Sequence, residues 1–321
     1  MTDIFDYDAC LRHHGHVRLP LFCVNGLILC RFKTLAWLAG FSEHYVQVDG
    51  IEWSYLDTCN GDKEMPIVVY LHGFSSVKNS MLRVARPVSY DFRVIIPDIP
   101  GHGNTKAPNV TSYRATEQAT RLDAFLNKVI GTRKIHLIGC SMGGMIAGTY
   151  ASMFPDRIDT VTLICPAGLS MPKRSELLQI FEDTGENYMR ATTGDEFLRL
   201  HKYMFHAPRN IPRWLANVVA NERAKQGETL EQLMSDILLD FQSLDDKIDR
   251  IQSPCHVIWG DDDKILSNSS IELIRKAIPE HKLTVNLVPN AGHCVHQEKH
   301  AEVATLVLEY LHQVITISVP E

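Results

Sequence analysis

Five short stretches of almost purely apolar residues constrain the fold of this chain more than any other feature of its sequence. They are residues 67–71, 94–96, 135–138, 161–164 and 256–259. A strand that is apolar on both faces has to be covered by helices on both sides, as strands in parallel sheets are. Helical patterns lie between these stretches, for example over residues 112–130, which Gly131 follows. The alternation predicts an α/β fold with right-handed crossovers.

Two departures from this alternation organise the rest of the chain. Residues 46–55 alternate between apolar and polar side chains around Asp49-Gly50, which predicts a β-hairpin. After Leu169 the alternation stops until about Ser253, and the interval is predicted to be almost wholly helical. The 321 residues are about twice a typical domain length. We therefore predict an N-terminal apolar arm (1–45), a core (46–168 and 251–321) and a helical cap inserted into that core (169–250).

The N-terminal arm is predicted to associate with a membrane. Its apolar run over residues 19–30 is interrupted by Arg31 and Lys33 and resumes over residues 34–41. The first run is too short to span a bilayer, which needs about 20 residues, and charges in the middle of a longer span are costly. A segment that lies in the interface, with its cations near the headgroups, is therefore favoured. A helix packed on the rest of the protein and a true span are the alternatives.

Charge and cysteine usage narrow the classes of function. The chain has 32 basic and 38 acidic residues, a net charge of −6, and no long basic run. Nucleic acid is therefore not expected as a partner. The eight cysteines are scattered, with no Cys-x-x-Cys pair of the kind that zinc and redox sites use. We expect no metal, no other cofactor, and a reduced, intracellular protein.

A candidate nucleophile follows one of the predicted strands. Residues 135–138 lead directly into Gly139-Cys140-Ser141-Met142-Gly143, and a helical pattern comes next. In this strand, turn and helix context the glycines are needed because the turn leaves no room for a Cβ atom. The turn lifts the Ser141 hydroxyl above the sheet, at a helix N-terminus whose N–H groups favour a developing oxyanion. Gly-x-Ser-x-Gly often occurs by chance, but this context favours a catalytic role.

A serine hydroxyl is a weak nucleophile and needs a base that an acid orients. Among the 15 histidines, His293 is the candidate base, because it lies in a loop after the last predicted strand, residues 283–288. Such a loop can fold back over Ser141. The residues after the strand 256–259 include three candidate acids, which are Asp261, Asp262 and Asp263.

The negative oxygen formed during acyl transfer needs backbone N–H donors. The loop after residues 67–71 begins His72-Gly73-Phe74, and Gly73 lets its backbone turn toward a substrate. We predict that Phe74 and Met142 supply the two N–H groups of the oxyanion hole. A glycine-rich loop over residues 97–105 is expected to have a structural role beside the serine.

Two cysteines adjoin the candidate catalytic residues. Cys140 precedes Ser141, and Cys294 follows His293. Neither stands at the centre of the turn, so neither is the expected nucleophile. We expect thiol reagents bound there to inhibit by their bulk.

Over roughly residues 46–315 the chain resembles the α/β-hydrolase superfamily, whose triad runs in the order Ser, Asp, His. Five motifs carry the resemblance, which are His72-Gly73, residues 98–103, Gly139-x-Ser141-x-Gly143, Trp259-Gly260-x-x-Asp263 and Asn290-Ala291-Gly292-His293. The resemblance implies a mostly parallel eight-stranded sheet flanked by helices, with an inserted helical cap.

The same resemblance implies the roles of the triad. Ser141 corresponds to the nucleophile and His293 to the base. The family places its acid four residues after the tryptophan of Trp259-Gly260-x-x-Asp263, which makes Asp263 the acid. The adjacent carboxylates Asp261 and Asp262 are a departure from the pattern.

Within the superfamily, residues 71–75, 139–144 and 165–169 and the apolar arm are similar to those of the membrane-associated monoacylglycerol lipases. This similarity implies a serine esterase that cleaves a monoacylglycerol to a fatty acid and glycerol through an acyl-enzyme. Its partners would be a lipid ester and a membrane surface.

Other functions of the same fold are weighed against this one. Carbon–carbon bond hydrolases use the same triad and a similar Ser-Met-Gly-Gly turn, and a small-ester carboxylesterase is a further alternative. Epoxide hydrolases and dehalogenases need Asp in place of Ser141. A ligand-binding pseudoenzyme commonly lacks a triad residue, whereas this chain has all three.

Overall fold

The apolar stretches form the centre of an eight-stranded sheet in the computed structural model, which describes residue 36, residues 39–58 and residues 64–318. The strands are β1 (Ser42–Val48), β2 (Ile51–Asp57), β3 (Ile67–Leu71), β4 (Arg93–Pro97), β5 (Ile135–Cys140), β6 (Ile158–Ile164), β7 (Cys255–Gly260) and β8 (Leu283–Val288). Their order across the sheet is β1-β2-β4-β3-β5-β6-β7-β8. Strand β2 pairs antiparallel with both β1 and β4, and the other neighbouring strands pair in parallel. The predicted mostly parallel sheet is confirmed.

The central strands are buried over their whole length, as the apolar stretches predict. Every residue of β3, β5 and β7 is buried, which fits strands that lie between two layers of helices. The edge strand β8 is partly exposed along most of its length. Because β3 and β5 are parallel neighbours, the loops that follow them leave the sheet at the same edge.

The hairpin predicted at Asp49-Gly50 joins β1 to β2. Both turn residues have positive φ, 48° for Asp49 and 78° for Gly50, as the two-residue turns that match strand twist require. Val48 pairs with Ile51 directly across the turn. The prediction is confirmed.

The described residues contain ten α-helices. They are α1 (Leu82–Val88), α2 (Ala115–Ile130), α3 (Met142–Met153), α4 (Glu176–Thr184), α5 (Gly194–Met204), α6 (Arg213–Lys225), α7 (Gly227–Leu239), α8 (Ile271–Ala277), α9 (Val295–Glu298) and α10 (His300–Ser318). Helix α2 begins after the predicted Ser112, because carboxylates of Asp236 and Asp240 accept the N–H groups of Tyr113 and Ala115, each at 2.6 Å. These long-range contacts satisfy the first turn of the helix and set its start.

Between β6 and β7 the described chain contains four α-helices, α4 to α7, and no strand. The prediction of an almost wholly helical interval is too broad, because irregular chain separates the helices. One such stretch, residues 205–212, contains Pro208 and Pro212, and proline ends a helix since it lacks an N–H and clashes with the preceding turn. The division into a core and a cap over residues 169–250 stays a prediction.

Most of the predicted N-terminal arm, and its expected contact with a membrane, lie outside the described residues, but residues 42–45 at its end already belong to strand β1. Two of its residues that are described, Ala36 and Phe41, are only 4% and 2% exposed and pack in the hydrophobic core. Within the part of the chain that the structure describes, no helix combines the length and apolar character needed to cross a bilayer.

The buried lysine Lys78, which follows β3, contacts both the hairpin and the loop after β4. Lys78 Nζ lies 2.6 Å from Asp98 Oδ2, 2.9 Å from Ser54 Oγ and 3.2 Å from Glu43 Oε1. The side chains of Lys78 and Asp98 are 3% and 1% exposed, so water screens little of their attraction. Burial opposes ionisation of Glu43, but the charge of Lys78 and hydrogen bonds from Asn104, Lys78 and Tyr45 together lower the pKa of Glu43 to about 2. These contacts support the structural role expected for residues 97–105.

Replacing Lys78 with Met is expected to lower the free energy of unfolding by about 3 kcal/mol, because Asp98 would remain buried without its cation. The control is Lys106→Met, which removes an ion pair with Glu52 whose lysine side chain is 75% exposed. A much smaller loss is expected there, because water screens an exposed ion pair. Urea unfolding followed by circular dichroism measures both, and equal losses would contradict the importance of the buried pair.

Candidate active site

Ser141 stands at a sharp turn between β5 and α3. Its φ is +55°, in the left-handed region that few non-glycine residues adopt. A Cβ atom on Gly139 would lie 2.1 Å from the carbonyl oxygen of Gly143, and one on Gly143 would lie 2.5 Å from the carbonyl oxygens of Leu71 and His72. Both glycines are therefore required for steric reasons, as the motif predicts.

The three side chains of the predicted triad form one hydrogen-bonded chain. His293 Nε2 lies 3.0 Å from Ser141 Oγ, and His293 Nδ1 lies 2.8 Å from Asp263 Oδ2. A carboxylate only accepts hydrogen bonds, so Nδ1 carries the proton and Nε2 can accept the proton of Ser141. Asp263 and His293 are buried. This arrangement can activate the serine as a nucleophile.

Asp263 is held in place by further hydrogen bonds. Its Oδ1 accepts the N–H groups of Ile265 and Leu266, both at 2.9 Å. Its Oδ2 accepts the indole N–H of Trp259 at 3.0 Å in addition to the imidazole N–H of His293. The carboxylate is therefore fixed in the orientation that His293 needs.

The two neighbouring aspartates have other partners. The Asp262 carboxylate lies 2.9 Å from Nδ1 of His206. The Asp261 carboxylate accepts the N–H of Ala291 at 3.3 Å. Of the three candidate acids, Asp263 is the one that contacts His293.

The loop after β3 passes close to the serine. A Cβ atom on Gly73 would lie 3.3 Å from Ser141 Cβ, so the lack of a side chain permits this approach. Phe74 follows on the same loop. Met142 begins α3, where the first N–H groups have no acceptor within the helix. Phe74 and Met142, the two predicted oxyanion donors, line the same cavity as Ser141.

Two buried histidines hold the loop after β3 in place. His72 Nε2 accepts the N–H of Ile99 at 3.0 Å, and His102 Nε2 accepts the N–H of Ser75 at 3.0 Å. Burial lowers the pKa of His72 to about 4 and that of His102 to about 3. Both rings are therefore neutral near pH 7 and can accept these hydrogen bonds.

The loop that carries His293 is fixed by Glu298, which no sequence motif marks. The Glu298 carboxylate accepts the N–H groups of Gly292, His206 and Ala207 at 2.8, 3.1 and 2.9 Å. Charge-assisted hydrogen bonds of this kind are stronger than neutral ones. They hold the loop that carries His293 against residues 206 and 207, which follow α5.

An apolar cavity of about 120 Å³ opens beside Ser141. The predicted core contributes one wall, which includes Phe74, Met142 and Ala167. The opposite wall comes from the predicted cap, residues 169–250, and consists of Leu169, Met171, Leu177, Leu178, Phe181, Asn187, Met189, Met234, Ile237, Leu238 and Phe241. Apart from Ser141 and Asn187, the residues that line the cavity are apolar. Such a cavity suits a hydrophobic group of a substrate.

The thiols near the site are buried, which argues against the expected inhibition by thiol reagents. Cys140 and Cys294 are 2% and 6% exposed. Burial raises the pKa of both thiols. The thiolate, which is the reactive form, is therefore not populated near neutral pH.

One group among the described residues has the spacing of metal ligands. Cys165 Sγ, an oxygen of Asp263 and a ring nitrogen of His293 lie within 4.8 Å of one another. Asp263 and His293 already hydrogen-bond to each other, and burial raises the pKa of Cys165 well above its usual value. The group therefore fits acid–base chemistry better than ligation, which needs a thiolate.

The chain matches a family model of the α/β-hydrolase fold over residues 66–300. It is 30% identical to monoacylglycerol lipase abhd6-B of Xenopus laevis over 259 residues, which are 77% of this chain and 75% of that protein. A membrane phospholipase A, described as a bacterial virulence factor, has a crystal structure that superposes on this one with a TM-score of 0.83 at 30% sequence identity. The match covers 96% of this chain and 95% of the phospholipase chain. A 2-hydroxy-6-oxo-6-phenylhexa-2,4-dienoate hydrolase of Rhodococcus has the same fold, with a TM-score of 0.69 at 21% sequence identity. That match covers 85% of this chain and 99% of the hydrolase chain.

Replacing Gly139 with Ala is expected to destabilise the protein by about 2 kcal/mol or more, because the methyl group would overlap the Gly143 carbonyl. The matched control is Gly227→Ala at the start of α7, where no described atom outside the local helix lies within 4 Å of a Cβ position. Calorimetric melting temperatures compare the two variants. An unchanged melting temperature in Gly139→Ala would contradict the steric requirement at the turn.

Proposed function

Since the chain belongs to the α/β-hydrolase family, we propose that it is a serine esterase that cleaves lipid esters, most specifically a monoacylglycerol to a fatty acid and glycerol. One observation carries the proposal. The hydrogen-bonded chain from Asp263 through His293 to Ser141, at 2.8 and 3.0 Å, ends at the edge of an apolar cavity. A serine activated in this way attacks a carbonyl carbon, and the cavity favours a hydrophobic acyl group.

Hydrolysis proceeds through an acyl-enzyme. His293 Nε2 takes the proton of Ser141 as Oγ bonds to the ester carbonyl carbon, and Asp263 stabilises the imidazolium. The N–H groups of Phe74 and Met142 hold the negative charge on the carbonyl oxygen. His293 then gives the proton to the alcohol oxygen as the ester C–O bond breaks, and glycerol leaves. Water, deprotonated by His293, attacks the acyl carbon, and the fatty acid leaves as Ser141 regains its proton.

Residues 169–250 act as a cap that selects the acyl group. Helices α4 and α7 of this segment supply lining residues opposite the core wall of the cavity, so the acyl chain lies between the core and the cap. The Xenopus relative is named a monoacylglycerol lipase and the bacterial structure a phospholipase A. Both names support a lipid ester as the substrate class.

Two other functions are less well supported. The Rhodococcus hydrolase is named for a dienoate, which carries a carboxylate. Among the described residues that line the cavity here, none is Lys, Arg or His, and a carboxylate would therefore lack a cationic partner. A ligand-binding pseudoenzyme has no need for the hydrogen bonds that join Ser141, His293 and Asp263.

We infer that the protein acts inside the cell at a membrane surface. The apolar run over residues 19–30 and the cations after it favour a segment in the interface. The four described cysteines are unpaired, as in a reducing compartment. Monoacylglycerols partition into membranes, so an anchored enzyme meets its substrate there.

Replacing Ser141 with Ala is expected to lower kcat for monoacylglycerol hydrolysis by about 10³-fold or more and to abolish labelling by a fluorophosphonate probe. Released fatty acid is measured for monoacylglycerols, phospholipids, triacylglycerols and short p-nitrophenyl esters. The control is Ser235→Ala on the exposed face of α7, which should keep wild-type rates. Unchanged hydrolysis in Ser141→Ala would refute the mechanism, and faster cleavage of another ester class would refute the monoacylglycerol assignment.

Replacing Leu178 with Trp is expected to shift the ratio of kcat/KM values toward shorter acyl chains by about tenfold, because the larger ring occupies part of the cavity. The neighbouring Gln179 is exposed and does not line the cavity, so Gln179→Trp is the matched control. A series of monoacylglycerols of increasing chain length is the test. The same shift in both variants would argue against this cavity as the acyl site.

A further inference from the structure

Arg223, a positively charged side chain within residues 169–250, contacts the loop that carries Phe74. Arg223, in the last turn of α6, donates from Nη1 to Ser75 Oγ at 2.6 Å. It also donates from Nε to the carbonyl of Ala191 at 2.7 Å and from Nη2 to the carbonyl of Met189 at 2.6 Å. The planar guanidinium thus joins two parts of the inserted segment to the loop after β3.

The three acceptors around Arg223 are neutral oxygens. Burial lowers the pKa of Arg223 to about 10, so the side chain is still charged at neutral pH. A partly buried cation whose hydrogen bonds go to neutral oxygens recovers only part of its lost hydration. Arg213, in the same helix, avoids this cost because its side chain is 71% exposed and pairs with Asp195. The placement of Arg223 therefore needs a reason beyond helix packing.

Ser75 lies between two fixed groups. Its φ is +53°, a sparsely populated conformation that the surroundings have to hold. On the core side its N–H donates to His102 Nε2 at 3.0 Å, and on the other side its Oγ accepts from Arg223 at 2.6 Å. Because Ser75 follows Phe74 directly, the backbone at Phe74 depends on both contacts.

We propose that Arg223 is a positioning residue, which through Ser75 fixes the Phe74 backbone so that its N–H points at the oxyanion. This role rests on the proposed esterase function, in which Phe74 N–H is an oxyanion donor. The contact exists only while α6 and residues 189–191 keep their place over the site. Stabilisation of the transition state is therefore coupled to the position of the inserted helices.

Kinetics on a short p-nitrophenyl ester test the role without filling the acyl cavity. Removing an oxyanion donor lowers kcat by about 10²- to 10³-fold, and a misplaced donor costs less. We expect Arg223→Met to lower kcat by about tenfold or more with KM within about twofold. Arg223→Lys should restore part of the rate, since an ammonium group can still donate to Ser75.

Ser75→Ala isolates the bridging contact, because Arg223 keeps its hydrogen bonds to Ala191 and Met189. It should lower kcat by a similar factor while its melting temperature stays near that of the wild type, and it decides the case if Arg223→Met does not fold.

The double variant Arg223→Met/Ser75→Ala should be no slower than the slower single variant, as expected for residues that act as a unit. A trifluoromethyl ketone, which binds as an oxyanion adduct, should lose affinity in parallel with kcat/KM. Arg213→Met is the matched control and should keep the wild-type kcat.

The outcomes separate this role from the proposed function. Wild-type kcat in both Arg223→Met and Ser75→Ala would overturn the role, and so would losses that add in the double variant. A wild-type protein that neither reacts with a fluorophosphonate nor hydrolyses any ester would overturn the proposed function and this role with it. A wild-type protein that cleaves short esters but not monoacylglycerols would overturn only the substrate assignment, and the comparison on the short ester still decides the role of Arg223.

Discussion

Contact between two stretches of backbone determines where the rest of this site can lie. The turn at Ser141 packs so closely on the end of β3 that the Gly143 position meets the carbonyl oxygens of Leu71 and His72. The loop that follows β3 is then brought beside the candidate nucleophile, and Gly73 lets it approach Ser141 Cβ. Main-chain packing at the centre of a parallel sheet thus sets Ser141 and the loop that carries Phe74 in a fixed relation, which suits the preorganised catalysis proposed above.

The helices between β6 and β7 are attached to the loops that carry the candidate catalytic groups. Beside the acid, the N–H of Leu177 donates to the carbonyl of Lys264 at 3.0 Å. Beside the base, the N–H of Cys294 donates to the carbonyl of Met204 at 2.8 Å. Arg223 also contacts the loop that carries Phe74. The segment between β6 and β7 therefore helps to hold these three loops in place and also forms a wall of the cavity.

Local signals in the sequence were sufficient for the strands, the hairpin and the turn at Ser141, because each depends on neighbouring residues. The choice of Asp263 among three adjacent aspartates needed the family resemblance, since position along the chain does not distinguish them. The structure distinguishes them by the Trp259 indole and by two N–H groups. The roles of Glu298 and Arg223 were not predictable, because His206, which Glu298 binds, lies 92 residues away in the chain and Ser75, which Arg223 binds, lies 148 residues away.

The amino-acid sequences of the two cavity walls can change at different rates during evolution. On the core wall, the backbone N–H of Ala167 donates to the carbonyl of Ser141 at 3.0 Å, so a change that moves this stretch of backbone also moves the candidate nucleophile. On the opposite wall, Leu177, Leu178 and Phe181 lie on α4, whose N-terminus is capped by Ser175. Side chains on this helix can be exchanged while its cap keeps the helix in place. With residues 169–250 selecting the acyl group as proposed, a lineage built on this chain can acquire new acyl specificities through substitutions in these helices and keep its reaction chemistry unchanged.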